Sequence, residues 1–168
     1  MTATLVVFGG LPGTGKSALA RALATRLGAT HLRIDTIEQT LRRVADIEDM
    51  GPIGYEIAYA VAADNLRAGR IVIADSVNPI ENTRAAWRAV AERAAARCLE
   101  VELCCSDPEE HRRRVETRTT EVQGLVLPTW DAVQRREYEP WAAALRIDTA
   151  TSAPSHAVDL IVRQLDAT

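Results

Sequence analysis

Residues 8–17 run Phe-Gly-Gly-Leu-Pro-Gly-Thr-Gly-Lys-Ser, four glycines in ten positions. They sit between an apolar run and a helix-forming segment. The upstream run, Leu5-Val-Val-Phe8, has the unbroken apolarity of a parallel strand covered on both faces. Downstream, Leu19, Leu23 and Leu27 recur every four residues and predict a helix from Lys16 to Leu27, closed by Gly28 in a left-handed cap. The glycines let main-chain N–H groups turn inward, and the helix aims its positive end at the same point. The spacing Gly10-x-x-x-x-Gly15-Lys16-Ser17 is that of a loop cradling phosphate. Lys16 is the only lysine, and the other 19 of the 20 basic residues are arginine. A compact ammonium can lie along such a loop where a planar guanidinium would not fit. Gly10, Gly13, Thr14, Gly15, Lys16 and Ser17 are therefore assigned to a nucleoside triphosphate. Lys16 reaches its outer phosphates, and the Ser17 hydroxyl ligates magnesium.

The rest of the chain alternates strand and helix. His31-Leu-Arg-Ile34 reads as a second strand closing on Asp35, with a helix from Thr36 to Val44. Ala45 to Gly54, holding Asp46, Glu48, Asp49, Gly51 and Pro52, is expected to be a mobile loop. A helix from Tyr55 to Ala68 precedes a third strand, Ile71-Val-Ile-Ala74, closing on Asp75. Ser76 to Pro79 is a turn, followed by a long helix from Ile80 or Glu81 to Arg97. In Leu99-Glu-Val-Glu-Leu103 the alternating Glu100 and Glu102 imply one wetter strand face. Asp107-Pro108-Glu109-Glu110 starts a helix with a cap, a proline and acids in the first turn. Thr119 to Pro128 is loop-like. Thr129 caps a helix reaching Glu139, where Pro140 stops it. Leu145 to Asp148 is a fifth strand, and Ser155 to Leu165 a closing helix. Such alternation argues for a parallel α/β sheet with right-handed crossovers.

Ligands in such sheets lie at the carboxyl ends of the strands. Those ends carry the glycine loop, Asp35 and Asp75. Asp75 suits magnesium, directly or through water. Asp35 can take a proton from a hydroxyl that attacks a γ-phosphate, while also capping the next helix. Arg114 and Arg118, four apart, share a helix face and can neutralise charge on a transferring phosphoryl group; Arg112 and Arg113 carry a weaker case. Asn78, in the turn after Asp75, is a candidate acceptor ligand. Trp87, Trp130, Tyr138 and Trp141 read as packing residues. His31, His111 and His156 show no ligand spacing and receive no role.

Composition narrows the classes. At 168 residues the chain fits one domain. A net charge of −3 gives no general basic surface for nucleic acid. The three cysteines, Cys98, Cys104 and Cys105, form no metal or disulfide pattern and read as small buried hydrophobes. The start of the chain lacks a signal-peptide pattern and no run is long enough to span a bilayer, so a cytoplasmic location is expected.

The ordered set of the glycine loop, Asp35, Ile71-Val-Ile-Ala-Asp75-Ser-Val-Asn78, Arg114-x-x-x-Arg118 and Tyr138-Glu-Pro-Trp141 resembles P-loop kinases of the predicted-kinase group. Their relatives include polynucleotide 5′-hydroxyl kinases, chloramphenicol phosphotransferase, gluconate kinase and adenylylsulfate kinase. The resemblance covers nearly the whole chain. It implies a single domain over 1–168 with a three-layer, nucleoside-monophosphate-kinase-like fold. The five-stranded parallel sheet would have order 2-3-1-4-5, with helices on both faces and a small lid near 112–128. It also implies transfer of the γ-phosphate of ATP to a hydroxyl, with Asp35 as general base and Asp75 positioning Mg2+. Arg114 and Arg118 would close over the nucleotide, and Asp148 to Ser152 would lie near the adenine. One departure stands out. Where polynucleotide kinases often carry an arginine three positions past the aspartate, this chain has Glu38, which repels a phosphorylated acceptor; Arg42 offsets it in part. A neutral or cationic small molecule is the first expectation for the acceptor, and a polynucleotide or nucleoside 5′-hydroxyl the second. A partner-dependent ATPase or nucleotide switch is the third, and a guanine-reading Asn-Lys-x-Asp is impossible when the one lysine is Lys16.

Overall fold

The computed structural model describes residues 2–45, 47, 49–143 and 145–167. At its centre lies β1 (Thr4–Gly9), in which all six residues are buried. Its side chains alternate between two cores. Val6 and Phe8 face Leu19, Leu23, Ile161 and Leu165, whereas Leu5 and Val7 face Ala58, Ala62, Leu66 and Trp87. A strand apolar on both faces can be satisfied only by a helical layer on each side, and both layers are present.

The elements follow as α1 (Lys16–Leu27), β2 (Thr30–Arg33), α2 (Ile34–Ala45), α3 (Ile53–Arg67), β3 (Ile71–Asp75) and α4 (Glu81–Arg93). Then come β4 (Arg97–Cys104), α5 (Pro108–Thr117), α6 (Trp130–Gln134), β5 (Leu145–Asp148) and α7 (Pro154–Asp166). The five strands are parallel, in the order β2-β3-β1-β4-β5. This is the expected sheet. Register places Phe8 opposite Asp75 and Asp75 opposite Arg33, so three strand ends meet at one edge.

Local signals for caps hold well. Asp107 Oδ1 accepts from the N–H groups of Glu109 and Glu110, and Thr129 Oγ1 from Ala132 N. Gly28 ends α1 at φ 60°. Several boundaries move. Helix α2 begins at Ile34, so Asp35 stands in its first turn rather than closing a strand. Helix α4 stops at Arg93 because β4 starts at Arg97, pairing with Thr4. Asp46 and Glu48 lie outside the described residues. The described remainder of their stretch turns through Gly51, whose N–H is held by Asp49 Oδ1, and buries Met50.

The face of β4 that carries Glu100 and Glu102 is the wetter one, as expected: Cys98 is exposed and Glu100 and Cys104 are half-buried, whereas Leu99, Val101 and Leu103 on the other face are buried. Its acids are paired, Glu102 with Arg146, and Glu100 with Arg88 and the Trp141 indole N–H. Two packing expectations are corrected. The cysteines are free, but none is buried: Cys98 is exposed, and Cys104 and Cys105 are half-buried at the open end of β4. Helix α6 covers only Trp130–Gln134 and does not reach Glu139.

Arg84 explains the short helix. This α4 residue is fully buried. Its guanidinium donates to four main-chain carbonyls: Asn78 at 2.9 Å, Pro79 at 3.2 Å, Glu139 at 2.8 Å and Pro140 at 2.9 Å. It lies 5.1 Å from the Tyr138 ring centroid and 4.8 Å from that of Trp141. The 138–141 strap is thus drawn out of the helix and pinned to the loop after β3, where Glu139 N also donates to Pro79 O at 2.8 Å. A guanidinium can serve several acceptors at once, and the aromatic faces offset part of its lost hydration. Arg84→Met would leave those carbonyls without their donor. It should lower unfolding free energy by about 3 kcal/mol or more in urea titration, with Arg84→Lys recovering little of the loss.

Candidate nucleotide and acceptor cleft

The loop between β1 and α1 is anchored at both ends. Gly10 N donates to Val77 O at 3.0 Å, and Thr14 Oγ1 to Leu11 O at 2.8 Å. Gly13 has φ 87°, and a Cβ there would meet Val115 Cγ2 at 2.5 Å and His111 at 3.2 Å. Helix α5 therefore presses directly on the loop and requires glycine. His111 Nε2 lies 2.8 Å from Pro12 O, and its ring packs edge-on against Trp130 at 5.1 Å.

Lys16 is buried, with its Nζ donating to Leu11 O at 2.8 Å. Burial pulls its pKa down to about 8; Asp75 and Asp35 oppose the shift, while Arg118 and Arg136 add to it. A buried ammonium in a glycine-rich loop is a fixed positive charge at the floor of the cleft.

Asp75, at the end of β3, is buried, with Oδ2 3.2 Å from His31 Nε2. Burial alone would raise its carboxyl pKa, but His31, Lys16 and Ser17 outweigh that, and the net shift is downward. The carboxylate therefore stays ionised beside the Ser17 hydroxyl. These oxygen donors suit Mg2+. Among the described residues no group of three His, Cys, Asp or Glu can hold a metal, so an ion here would take its remaining ligands from phosphate and water.

A cleft of about 580 Å³ joins these groups to Asp35, Glu38, Arg42, Arg114, Arg118 and Arg136. The Asp35 side chain is about half exposed to it. Glu38 packs against the α3 backbone at Gly54 and lies 3.9 Å from Arg42. Burial raises the Glu38 pKa, Arg42 opposes this, and Asp35 adds to it.

The two predicted arginines differ. Arg114 is engaged, bonding Glu110 Oε1 at 2.6 Å, Thr149 Oγ1 at 2.9 Å and Thr149 O at 3.0 Å. It lines the cleft while tying α5 to the loop after β5. Arg118 lies one residue past α5 in extended backbone, so the two do not share a helix face. Its Nε and one terminal nitrogen are buried without a hydrogen-bond partner. Burial depresses its pKa, Asp35 opposes, and Arg33 and Arg136 add. A guanidinium placed in this way lacks an anion. Arg112 and Arg113 pair with Glu116 and Glu110 in solvent.

Asn78 is corrected. It is fully buried at φ 47°, donating to Phe8 O at 2.7 Å, and it locks the turn after β3 to β1 behind the cleft instead of lining it. Trp87 is core, as expected, edge-on to Tyr59 at 4.5 Å. Sequence reasoning missed His31, Arg33, Arg84, His111 and Arg136. A lone histidine on an edge strand and arginines among 19 carry no spacing signal; only the fold brings them here.

A family model described as an AAA domain (AAA_33) matches residues 5–140. No curated protein matches by sequence. Among solved structures, a candidate kinase from Chloroflexus aurantiacus superposes with a TM-score of 0.77 at 21% identity, covering 99% of this chain and 97% of its own. The Mycobacterium tuberculosis APS kinase CysC, solved with AMPPNP and APS, superposes at 0.70 and 19% identity over 98% of each chain. A gluconokinase from Sinorhizobium meliloti 1021 superposes at 0.65 and 16% identity, covering 98% of this chain and 96% of its own. At these identities the likeness shows a shared fold. Among the described residues no helix is long and apolar enough to cross a membrane.

The buried ammonium sets a pH test. Folded Lys16 titrates near 8 and its unfolded counterpart near 10.5, so the charged form opposes folding. That penalty is full below 8 and fades as pH rises toward 10.5. Nucleotide-free Lys16→Met should therefore melt above the parent at pH 7, with the gap closing between pH 8 and 10.5. A gap independent of pH over that interval would contradict the assignment.

Proposed function

Because the chain belongs to the AAA_33 family of AAA domains and is built as a P-loop kinase of the predicted-kinase group, we propose that it is an ATP-dependent phosphotransferase. In this reading it moves the γ-phosphate of ATP to a hydroxyl of a small molecule. The observation that carries it is the meeting of three groups in one cleft: the phosphate loop with Lys16, the unpartnered Arg118 guanidinium, and the solvent-facing Asp35 carboxylate. An ATPase needs the first two. A carboxylate open to an incoming alcohol favours transfer.

The step assigns one task to each group. Main-chain amides of 13–17 and Lys16 hold the β- and γ-phosphates, and Arg118 supplies charge to the γ-phosphoryl oxygens. Ser17 and Asp75 would hold Mg2+, whose charge would neutralise that building on those oxygens. The acceptor oxygen forms a bond to the γ-phosphorus as the bond to the β,γ-bridging oxygen breaks. The hydroxyl proton passes to Asp35, and ADP leaves with the bridging electron pair. Arg114, through Thr149, sets the α5 side of the site against the loop after β5, which is assigned to the base. Residues 118–128 form a lid that excludes water; of the 112–128 stretch, 112–117 belong to α5. Need for ATP suits the cytoplasm.

The acceptor is argued from Glu38, which presents a half-buried acid to the cleft and disfavours phosphorylated acceptors. The neighbours solved as APS kinase and gluconokinase support a small-molecule acceptor and ATP as donor. A 5′-hydroxyl kinase is the second reading, favoured by Arg42 and Arg136 on the cleft wall.

Labelled ATP offered with nucleosides, aminoglycosides, sugars, other alcohols and oligonucleotide ends should label a neutral or cationic small molecule. Label on oligonucleotides alone would overturn that ranking. Asp35→Asn should then cut transfer by on the order of a hundredfold while nucleotide affinity is retained. Normal transfer in that variant would reduce Asp35 to a helix-start residue.

A further inference from the structure

Three carboxylates from three elements converge on one guanidinium. Arg33, the last residue of β2, has Nε 3.9 Å from Asp35 Oδ2 and 4.0 Å from Asp75 Oδ2. Its Nη1 lies 3.4 Å from Oε1 of Glu121, which belongs to the 118–128 segment. The side chain is only 16% exposed, and Nε is buried without a hydrogen-bond partner. At 3.9 and 4.0 Å the two aspartates attract this group without bonding it. The one hydrogen bond Arg33 makes to these carboxylates is therefore the one to Glu121 of the lid segment.

The surroundings strengthen the node. Two residues earlier on the same face of β2, His31 bonds the same Asp75 oxygen. Arg21 of α1 pairs with the same Glu121 oxygen. Gly124, further along the segment, approaches the Gln39 amide of α2. Arg33 also stands in the wall between the main cleft and a second cavity of about 460 Å³, lined in part by Arg21, Arg43 and Glu121. The 118–128 segment is thus laid across β2 and α2 and fastened at a residue that faces both carboxylates of the reaction.

We propose that Arg33 is a positioning residue that couples the 118–128 segment to the spacing of Asp35 and Asp75. With Glu121 holding one end of the guanidinium, Nε faces both aspartates and keeps their carboxylates turned toward each other across the cleft. When the segment lifts, Arg33 loses its only hydrogen-bonded anchor, and the general base and the magnesium-holding carboxylate lose their common reference. Transfer is then confined to the segment-down state, which is also the water-excluding one. The inference rests on the phosphotransfer reading. An arginine is required because a planar fork can face a lid carboxylate and two aspartates at once, whereas an ammonium serves one direction at a time.

The test uses the full chain with Arg33→Gln, Arg33→Lys, Glu121→Gln and the Arg33→Gln/Glu121→Gln double variant. Hydrogen exchange of the 119–127 amides is read without nucleotide, and AMPPNP affinity and ATP turnover are read with magnesium. Arg33→Gln should speed that exchange by about tenfold and Glu121→Gln by more, because the latter also releases Arg21, and the double variant should go no further than Glu121→Gln. Arg33→Gln should also lower kcat by roughly a hundredfold, the scale of a 1 Å misplacement, with KM for ATP and AMPPNP affinity within about threefold. Arg33→Lys should restore slow exchange while kcat stays low, a split that loss of folded protein cannot produce. Unchanged exchange in either single variant, additive effects in the double, or full kcat in Arg33→Gln would overturn the coupling. If the parent neither turns over ATP nor labels an acceptor, the phosphotransfer reading fails by itself, and the exchange results still decide the Arg33–Glu121 link.

Discussion

The site depends on a cation taken out of water. Lys16 is buried at the N-terminus of α1, where the helix dipole itself disfavours positive charge. Its one hydrogen bond in the structure is to a carbonyl of its own loop. Desolvation therefore opposes its charge, and Asp75 and Asp35 only partly offset this. The ammonium persists at neutral pH at a cost to folding, and an arriving anion would offset that cost. Arg118 repeats the theme on the facing wall, with buried nitrogens that no acceptor meets. Two underpaired cations therefore line one cleft beside the glycine-rich loop, a cost to folding of the kind that functional sites carry.

The scaffold meets that strain with rigidity. Strand β1 is apolar on both faces and cannot shift register without exposing one core. Its loop is fastened to the turn after β3, Asn78 fastens that turn back to β1, and Arg84 fastens both to the 138–141 strap. The strap lies against Gly9 through the Trp141 ring, and a buried cation, not an apolar side chain, sits beneath its carbonyls. That choice orders main-chain carbonyls which an apolar core residue would leave unpaired.

The fold was largely legible in the chain because its signals were periodic or local. The continuous run of β1, the leucine stripe of α1, and the caps at Asp107 and Thr129 all read directly. Strand and helix alternation was enough for the parallel sheet. Boundaries failed where tertiary contacts overrode propensity. Helix α6 stopped short of Glu139 because Arg84 drew the strap away, and Asp35 moved into a helix because β2 ends where its pairing with Asp75 ends. Within the site, the loop residues and Asp75 were visible because strand ends and glycine spacing mark them. His31, Arg33 and Arg136 were not, since their importance comes from being brought together across the sheet edge. Asn78 misled for the opposite reason: a polar residue in a turn looks available, and only packing shows its side chain fully buried with its N–H bonded to Phe8 O. Glu38, readable as a departure from a pattern, sits on the cleft wall beside Asp35 and Arg42.

One cleft holds both the underpaired Arg118 guanidinium and the half-exposed Asp35 carboxylate, and in the proposed reading both face one phosphoryl group. The most direct measurement is a crystal structure of the chain with AMPPNP and magnesium. The account predicts Arg118 nitrogens within hydrogen-bond distance of the γ-phosphoryl oxygens, and the Asp35 carboxylate facing that phosphorus across a space sized for a hydroxyl. An analogue bound with Arg118 still unpaired, or with Asp35 turned away from the terminal phosphorus, would contradict it.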